Sequence, residues 1–507
     1  MNHWIAAPVL LPLLAGALLL VAEGWNLAGK RIISVLATAA LIPVSLYLLG
    51  AAATGEHQVY YLGDWPAPFG IVLVVDRLSA LMLLVASVLA TASLLYAVAG
   101  DDVRGPDFHP LFQFQILGIN GAFLTGDLFN LFVFFEILLI ASYCLIVHGG
   151  GAARARAAMH FVVLNLVGSS VFLIALGVIY GILGTLNMAD LAAKVAAADA
   201  DSTGLVRVAG LMLLVVFGLK AALLPLGFWL PSAYRSVTAS VACLFAIMTK
   251  VGVYAILRVH TLIFVEPGGE FVLEAWLLPV ALATVVVGTV GAMAASELRS
   301  TICYLVVVSV GTLLAAVGLF SPDGLAAALY YLVHTTLVTG GLFLLADLIA
   351  RQRGAVAARL DASQAVHQPA LLGTLFFAGA IAVSGLPPLS GFAAKLYILQ
   401  AAQATSAVAW IWGVMLISGL LVIVSLSRAG TAIFWRTQHS RPEPSPVRAI
   451  EVLPTVSLLA GALLLMIFGA PVLDYAQATS EQLMQPSDYV ESVLANESVS
   501  TPASMKE

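Results

Sequence analysis

The chain predicts an all-α polytopic membrane protein of about fourteen transmembrane helices, on three observations. Of its 507 residues 61% are hydrophobic and only 10% are charged, with a mean hydropathy of +1.03. Apolar runs long enough to cross a hydrocarbon core of about 30 Å recur from end to end. No polar stretch is long enough to bury a core of its own, so no separate extramembrane domain is expected.

The spans read 5–22, 32–50, 77–99, 109–126, 128–148, 159–183, 205–231, 238–262, 272–293, 300–319, 324–349, 370–401, 406–435 and 449–473. The first run, Ile5 to Ala22, lacks a basic flank and a clear cleavage site, so it reads as a retained helix rather than a signal peptide. Ala189–Ala200 is short and alanine-rich and reads as an interfacial helix between spans six and seven. From Asp474 onward the chain is polar and acidic, a loosely ordered tail with room for one short helix. Cys144, Cys243 and Cys303 lie inside apolar segments without metal-ligand spacing and read as packing residues.

The net charge of −5 decides less than the placement of the charges. Odd-numbered loops hold Lys30, Arg31, Arg104, Arg154, Arg156, Arg235, Arg299, Arg351, Arg353, Arg359, Arg436, Arg441 and Arg448; even-numbered loops hold only Lys194 and Arg207. Basic loops stay in the cytoplasm, so both termini are expected outside. Spans four to eight and nine to thirteen form two sets of five. An odd number inverts the second set, and the fourth span of each set carries internal proline. The resulting division is 1–108 (spans one to three), 109–264 (first repeat), 265–440 (second repeat), 441–475 (span fourteen) and 476–507 (polar tail).

The chemistry concentrates in Leu205–Tyr234, where Lys220 sits in the apolar middle of span seven. A lysine at mid-membrane depth costs about 3 kcal/mol and marks an ion or proton site by default. Five residues on, Pro225 frees the carbonyl of Ala221, and broken backbone is tolerated there only beside protein or a water-filled cavity. Snorkelling to the interface is the competing reading. Glu136 is the one acid past the start of span five and needs a partner or a proton; Lys220 is the candidate, and a purely structural ion pair is the alternative. Lys250 lies midway along span eight, while Arg258 and His260 near its end read as snorkelling groups. His334 stands mid-helix in span eleven, suited to a proton relay, with a hydrogen-bonded packing histidine as the alternative. In span twelve SGLPPLSGFAAK places Gly385, Pro387, Pro388 and Gly391 ahead of Lys395.

Glu136, Lys220, Lys250, His334 and Lys395 thus stand one per helix on five helices, the pattern of a proton path. His160, beside Arg154 and Arg156, is a candidate inlet or an interfacial residue, and Asp76–Arg77 an interfacial pair. Asp127, Glu297, Arg299, Asp347 and Arg428 lie near helix ends and read as structural. No phosphate-cradling loop, haem ligand pair, metal cluster or nucleophile constellation appears, so no cofactor, catalytic residue or nucleic-acid partner is assigned. Any energy must come from an ion gradient or from partner subunits.

Four stretches carry a resemblance: GINGAFLTGDLFNLFVFFEILLIASYCLI, LKAALLPLGFWLPSAY, TKVGVYAILRV and SGLPPLSGFAAK. They resemble the antiporter-like membrane subunits shared by respiratory complex I and the Mrp-type (Mnh, Pha) multisubunit cation/proton antiporters, over nearly all of the chain to about residue 475, and in wording the D-type members most. That resemblance implies fourteen helices, inverted five-helix repeats and discontinuous helices seven and twelve. It also implies a glutamate–lysine pair at Glu136 and Lys220, with Lys250, His334 and Lys395 continuing the path. A lysine rather than a glutamate at 395 fits the D-type members. The loop WLPSAYRSVTASVACLF departs from the pattern at Arg235 and Ser236. The family works in a hetero-oligomer of membrane proteins in a bacterial inner membrane, exchanging Na⁺ or K⁺ for H⁺. The rival readings are a proton-pumping component of a redox complex and a non-transporting scaffold. The metal cation's own route is not visible in the residues.

Overall fold

A computed structural model describes residues 2–22, 24–198, 200–265, 273–438 and 446–495. Arg441, the division at 440/441 and the tail beyond 495 lie outside the described residues. Helix occupies every range marked above. The chain opens with α1 (Ala7–Val21) and α2 (Leu27–Ala52), then a hairpin of β1 (Gln58–Tyr61) and β2 (Val72–Val75), antiparallel with Gln58 opposite Val75. Next come α3 (Arg77–Ala97), α4 (Phe108–Leu124), α5 (Leu128–Val147), α6 (Ala152–Leu183) and the short α7 (Met188–Ala196). The seventh range is broken into α8 (Ala200–Ala221) and α9 (Trp229–Ser236), and the eighth into α10 (Ala239–Phe245) and α11 (Met248–Leu262). There follow α12 (Glu274–Ala294), α13 (Leu298–Val317) and α14 (Pro322–Gln352). A second interrupted pair, α15 (Pro369–Ser384) and α16 (Ser390–Ala401), precedes α17 (Val408–Gly430), α18 (Ala449–Ile467), α19 (Gly469–Leu483) and α20 (Pro486–Leu494).

Among the described residues eleven helical stretches are long and apolar enough to cross a membrane; α1 and α15 are shorter apolar helices. Their burial sorts them into layers. The stretch Ala239–Leu262 is buried along its whole length, and α13 and α14 nearly so, whereas α2, α6 and α17 expose most of their apolar surface. Helices of similar hydropathy thus differ in how far the rest of this chain covers them. The central ones can hold polar groups because neighbours supply the partners that lipid cannot.

Polar residues set the helix starts. Asp76 accepts from the Ser79 N–H at 2.9 Å, and Ser79 Oγ accepts from the Asp76 N–H at 2.9 Å, a reciprocal cap on α3. Asp127 accepts from the Asn130 N–H at 2.8 Å at the head of α5.

Several expectations are corrected. The tail is not loose up to residue 495: α18 stops at Ile467, and α19 and α20 fold back on the bundle, burying Ala476, Leu483, Tyr489 and Val493. Apolar residues spaced through an acidic stretch supply that docking face. Span eight is interrupted at Ala246–Ile247 by two tight i−3 bonds, and the Tyr234 hydroxyl takes up the Phe245 carbonyl at 2.7 Å. Cys243 and Cys303 are packed inside, but Cys144 is exposed.

Candidate functional site

The first break places Lys220. α8 ends at Ala221 because Ala222 turns left-handed (φ +63°). The Gly218 carbonyl is then taken by the Leu223 N–H at 2.8 Å, and the Leu219 carbonyl by the Ala222 N–H and the Trp229 indole N–H at 3.0 Å. Lys220 lies in this last turn, where the helix dipole favours a cation. Its ammonium is buried, donates to Asn165 Oδ1 of α6 at 3.2 Å and stands 6.0 Å from the centre of the Phe135 ring. Gly252 of α11 makes this packing close: a Cβ there would come within 2.5 Å of the Ala221 nitrogen.

Glu136, half-buried on α5, accepts a hydrogen bond from Ser169 Oγ, also on α6. The expected direct pair of Glu136 with Lys220 is therefore not what the structure holds. Each group is hydrogen-bonded to α6 instead, through residues one helical turn apart. Lys250 is fully buried, and its ammonium reaches Ser309 Oγ of α13 at 3.4 Å.

In the second half His334 Nδ1 lies 2.8 Å from Ser390 Oγ, and the imidazole stacks on Tyr331 with centroids 5.9 Å apart. Ser390 starts α16, directly after the break. Gly391 must be glycine, since a Cβ there would run into the Ala382 carbonyl oxygen and fall 2.9 Å from His334 Nε2. Lys395 reaches back across the break and donates to the Ser384 carbonyl at 2.8 Å and the Val383 carbonyl at 3.3 Å. It lines a groove between α16 and α17, with Phe392, Leu396, Leu416 and Leu420. Tyr331 lies beside Thr312, one turn from Ser309 on α13, so α13 stands between Lys250 and His334. His160 sits on the exposed face of α6, next to Met159. Among the described residues no group of three or more His, Cys, Asp or Glu is arranged to hold a metal ion.

Arg258 and His260 do not snorkel. His260 is buried between the Ile256 and Gly210 carbonyls, each 3.1 Å from a ring nitrogen. Arg258 pairs with Asp76 at 2.6 Å, donates through Nε to the Tyr254 hydroxyl at 3.2 Å and lies under the Tyr489 ring of α20 at 5.5 Å. Asp76 is thus paired with Arg258, not Arg77, whose guanidinium donates to the Ala53 carbonyl. Burial pushes the Asp76 carboxyl up, but the Arg258 guanidinium and the Ser79 N–H outweigh it and hold it below its ordinary value. Lys250, Tyr254 and Arg258 recur every four residues on α11 and share one face.

Reading the residues alone missed Asn165, Ser169, Ser309 and Ser390. The signal for the first two was present: an amide and a hydroxyl four residues apart inside FVVLNLVGSSVFL, where lipid offers a polar group nothing.

The family described as NADH:quinone oxidoreductase/Mrp antiporter, TM, matches residues 125–423. The D-type subunit of a probable K⁺/H⁺ antiporter of Rhizobium meliloti (strain 1021) is 41% identical, over 98% of this chain and 98% of that protein. The D-type subunit of the Na⁺/H⁺ antiporter of Bacillus subtilis (strain 168) is 38% identical, over 97% of this chain and all of that one. Among solved structures, a chain of the Mrp complex from Dietzia sp. DQ12-45-1b superposes with a TM-score of 0.87 at 28% identity, covering 97% of this chain and all of that chain. A chain of respiratory complex I from Thermus thermophilus superposes at 0.79 with 25% identity, over 95% and 99%.

Proposed function

Because the chain belongs to the NADH:quinone oxidoreductase/Mrp antiporter membrane family, we propose that it is the D-type subunit of a multisubunit monovalent cation/proton antiporter. It exchanges Na⁺ or K⁺ for H⁺ together with partner membrane subunits and is a secondary transporter component, not an enzyme. The chain crosses a bacterial inner membrane fourteen times, with spans four to eight and nine to thirteen as inverted repeats and both termini outside. The observation that carries this reading is the row of titratable groups on five spans: Glu136, Lys220, Lys250, His334 and Lys395, four of them lysine or histidine held by one or two polar contacts each.

The geometry supports proton transfer along that row. Lys220 and Lys250 lie on helices in backbone contact at Gly252. A change of charge on one shifts the proton affinity of the other, because Coulomb interactions between buried groups are poorly screened. Ser309, Thr312 and Tyr331 offer hydroxyls between Lys250 and His334. From His334 the path continues through Ser390 to Lys395 and the groove beside it.

The complex I likeness favours a second reading, a proton pump that a redox neighbour drives. Everted vesicles carrying the whole operon, assayed for Na⁺- or K⁺-dependent dissipation of a pH gradient, separate the two. Wild-type exchange that disappears in an assembled Glu136→Ala or Lys220→Ala complex is the expected outcome. Exchange that survives both substitutions makes this chain a scaffold, and no exchange in the wild type favours the redox pump.

A further inference from the structure

Ser169 and Asn165 lie four residues apart on α6, and each holds one member of the Glu136 and Lys220 couple. We propose that these two side chains are positioning residues, a polar bridge that keeps the carboxylate and the ammonium apart and ready to exchange partners. The inference rests on the proton-path reading above.

The bridge is oriented by its own hydrogen bonds. The Asn165 amide donates through Nδ2 to the Phe161 carbonyl at 2.9 Å, which leaves Oδ1 for the Lys220 ammonium. Turning the amide over would set oxygen against carbonyl oxygen and NH₂ against ammonium, two repulsive contacts in place of two bonds. A serine hydroxyl has one proton to donate, and here it goes to the Glu136 carboxylate. The two groups therefore complement opposite charges, an acceptor for the cation and a donor for the anion. Side chains four apart on a helix are neighbours, about 5–6 Å between Cβ atoms. That spacing matches two charges held close without touching.

α6 packs tightly on α8 at the bridge. At Gly168, between the two bridge residues, a Cβ would run into Leu219 Cδ2 on α8. Asn165 and Ser169 are themselves nearly buried. The titratable groups beside the bridge are Glu136 and Tyr143 from α5 and Lys220 from α8. Among the described residues the Tyr143 hydroxyl has no hydrogen-bond partner, so it does not compete for the carboxylate.

Loss of either bridge residue removes a bond to a charged group and lets Glu136 and Lys220 close on each other. A closed pair keeps its proton, so exchange is slower and begins at higher pH. In everted vesicles containing the assembled complex, Ser169→Ala and Asn165→Leu should each lower exchange at neutral pH about tenfold, the scale of one hydrogen bond to a charge. The pH of half-maximal exchange should rise by about one unit, the same energy read as proton affinity. Ser169→Thr keeps the hydroxyl and should restore the wild-type profile. Ser170→Ala is the control, since that exposed hydroxyl bonds to the Leu166 carbonyl of its own helix. Infrared difference spectra of Ser169→Ala provide a second readout, a displaced Glu136 carboxylate stretch. Glu136→Gln in the same vesicles separates the two levels of inference. If Glu136→Gln retains exchange, the proton-path reading fails. If it abolishes exchange while Ser169→Ala and Asn165→Leu follow the wild type at every pH with an unmoved carboxylate band, the bridge alone is overturned.

Discussion

The two interrupted spans use a lysine in opposite ways. In the second break Lys395 stands after the interruption and turns back to the end of α15. The Gly385 and Leu386 N–H groups take the Ile381 carbonyl, Gly385 also takes Ala382, and the ammonium takes Val383 and Ser384. All four carbonyls that a helix end leaves open are thereby satisfied. In the first break Lys220 stands before the interruption, backbone N–H groups and the Trp229 indole close the helix end, and the ammonium is free to address α6. One lysine is built into the backbone of its break. The other is held by a single amide and can be released by one hydrogen bond. The lesson is that two lysines alike in sequence context differ in how firmly the fold holds their charge.

The largest test of this contrast lies on the fifth span of each repeat. Arg258 on α11 is buried against Asp76, whereas Arg428 on α17 is exposed and donates to the Met293 carbonyl at 3.0 Å. Arg258→Met strands a buried carboxylate and should lower stability by about 3–5 kcal/mol. Arg428→Met should stay within about 0.5 kcal/mol, as exposed substitutions do. Thermal inactivation of the detergent-solubilised complex measures both, and equal losses would break the asymmetry. Next, Lys395→Met leaves two buried carbonyls without donors and Lys220→Met leaves one amide oxygen, at about 1–3 kcal/mol for each stranded acceptor. The Lys395 variant should therefore lose about twice as much in the same assay. Gly391→Ala and Gly252→Ala compare the packing at the two breaks. Overfilling costs about 1–3 kcal/mol, and the closer approach at Gly391, against a carbonyl oxygen, should make it the more damaging of the two.

The smallest effect lies outside the breaks. Asp102 receives two bonds from Arg31, at 2.6 and 2.8 Å, and one contact from His109 at 3.2 Å. Burial pushes its carboxyl up, but the hydrogen bonds from His109 and Arg31 outweigh that and bring it down to about 2. A carboxyl depressed in the folded chain stabilises it above the ordinary value of about 4. That contribution fades as the pH falls toward 2. Between pH 5 and pH 3 the wild type should lose stability more steeply than Asp102→Asn, and parallel curves would refute the assignment.

Much of this was legible in the residues. Apolar windows located the helical ranges, and Gly385, Pro387 and Pro388 located the second break, because backbone chemistry is local. The partners of the charges were not legible. Arg258 read as a group near a helix end, since counting residues along α11 cannot reveal that Asp76 and Tyr489 cover it from distant parts of the chain. A lone buried glutamate needs a partner, and Lys220 beside its helix break is the evident candidate in the residues. Neutral Asn165 and Ser169 intervene, and a neutral side chain gives no charge pattern to read. The β1–β2 hairpin was missed because QVYY and VLVV are four residues each, too short for a periodicity to register.

The cover over Arg258 has a consequence for how the molecule is made. Tyr489 belongs to α20, which is tied to the β1 strand by a hydrogen bond from the Tyr61 hydroxyl to the Val493 carbonyl, across 432 positions of chain. A ribosome delivers every other described helix before it delivers this one. Until it does, the Arg258 guanidinium lacks the Tyr489 ring that lies over it. A chain clipped before α20 keeps its apolar spans and loses that cover.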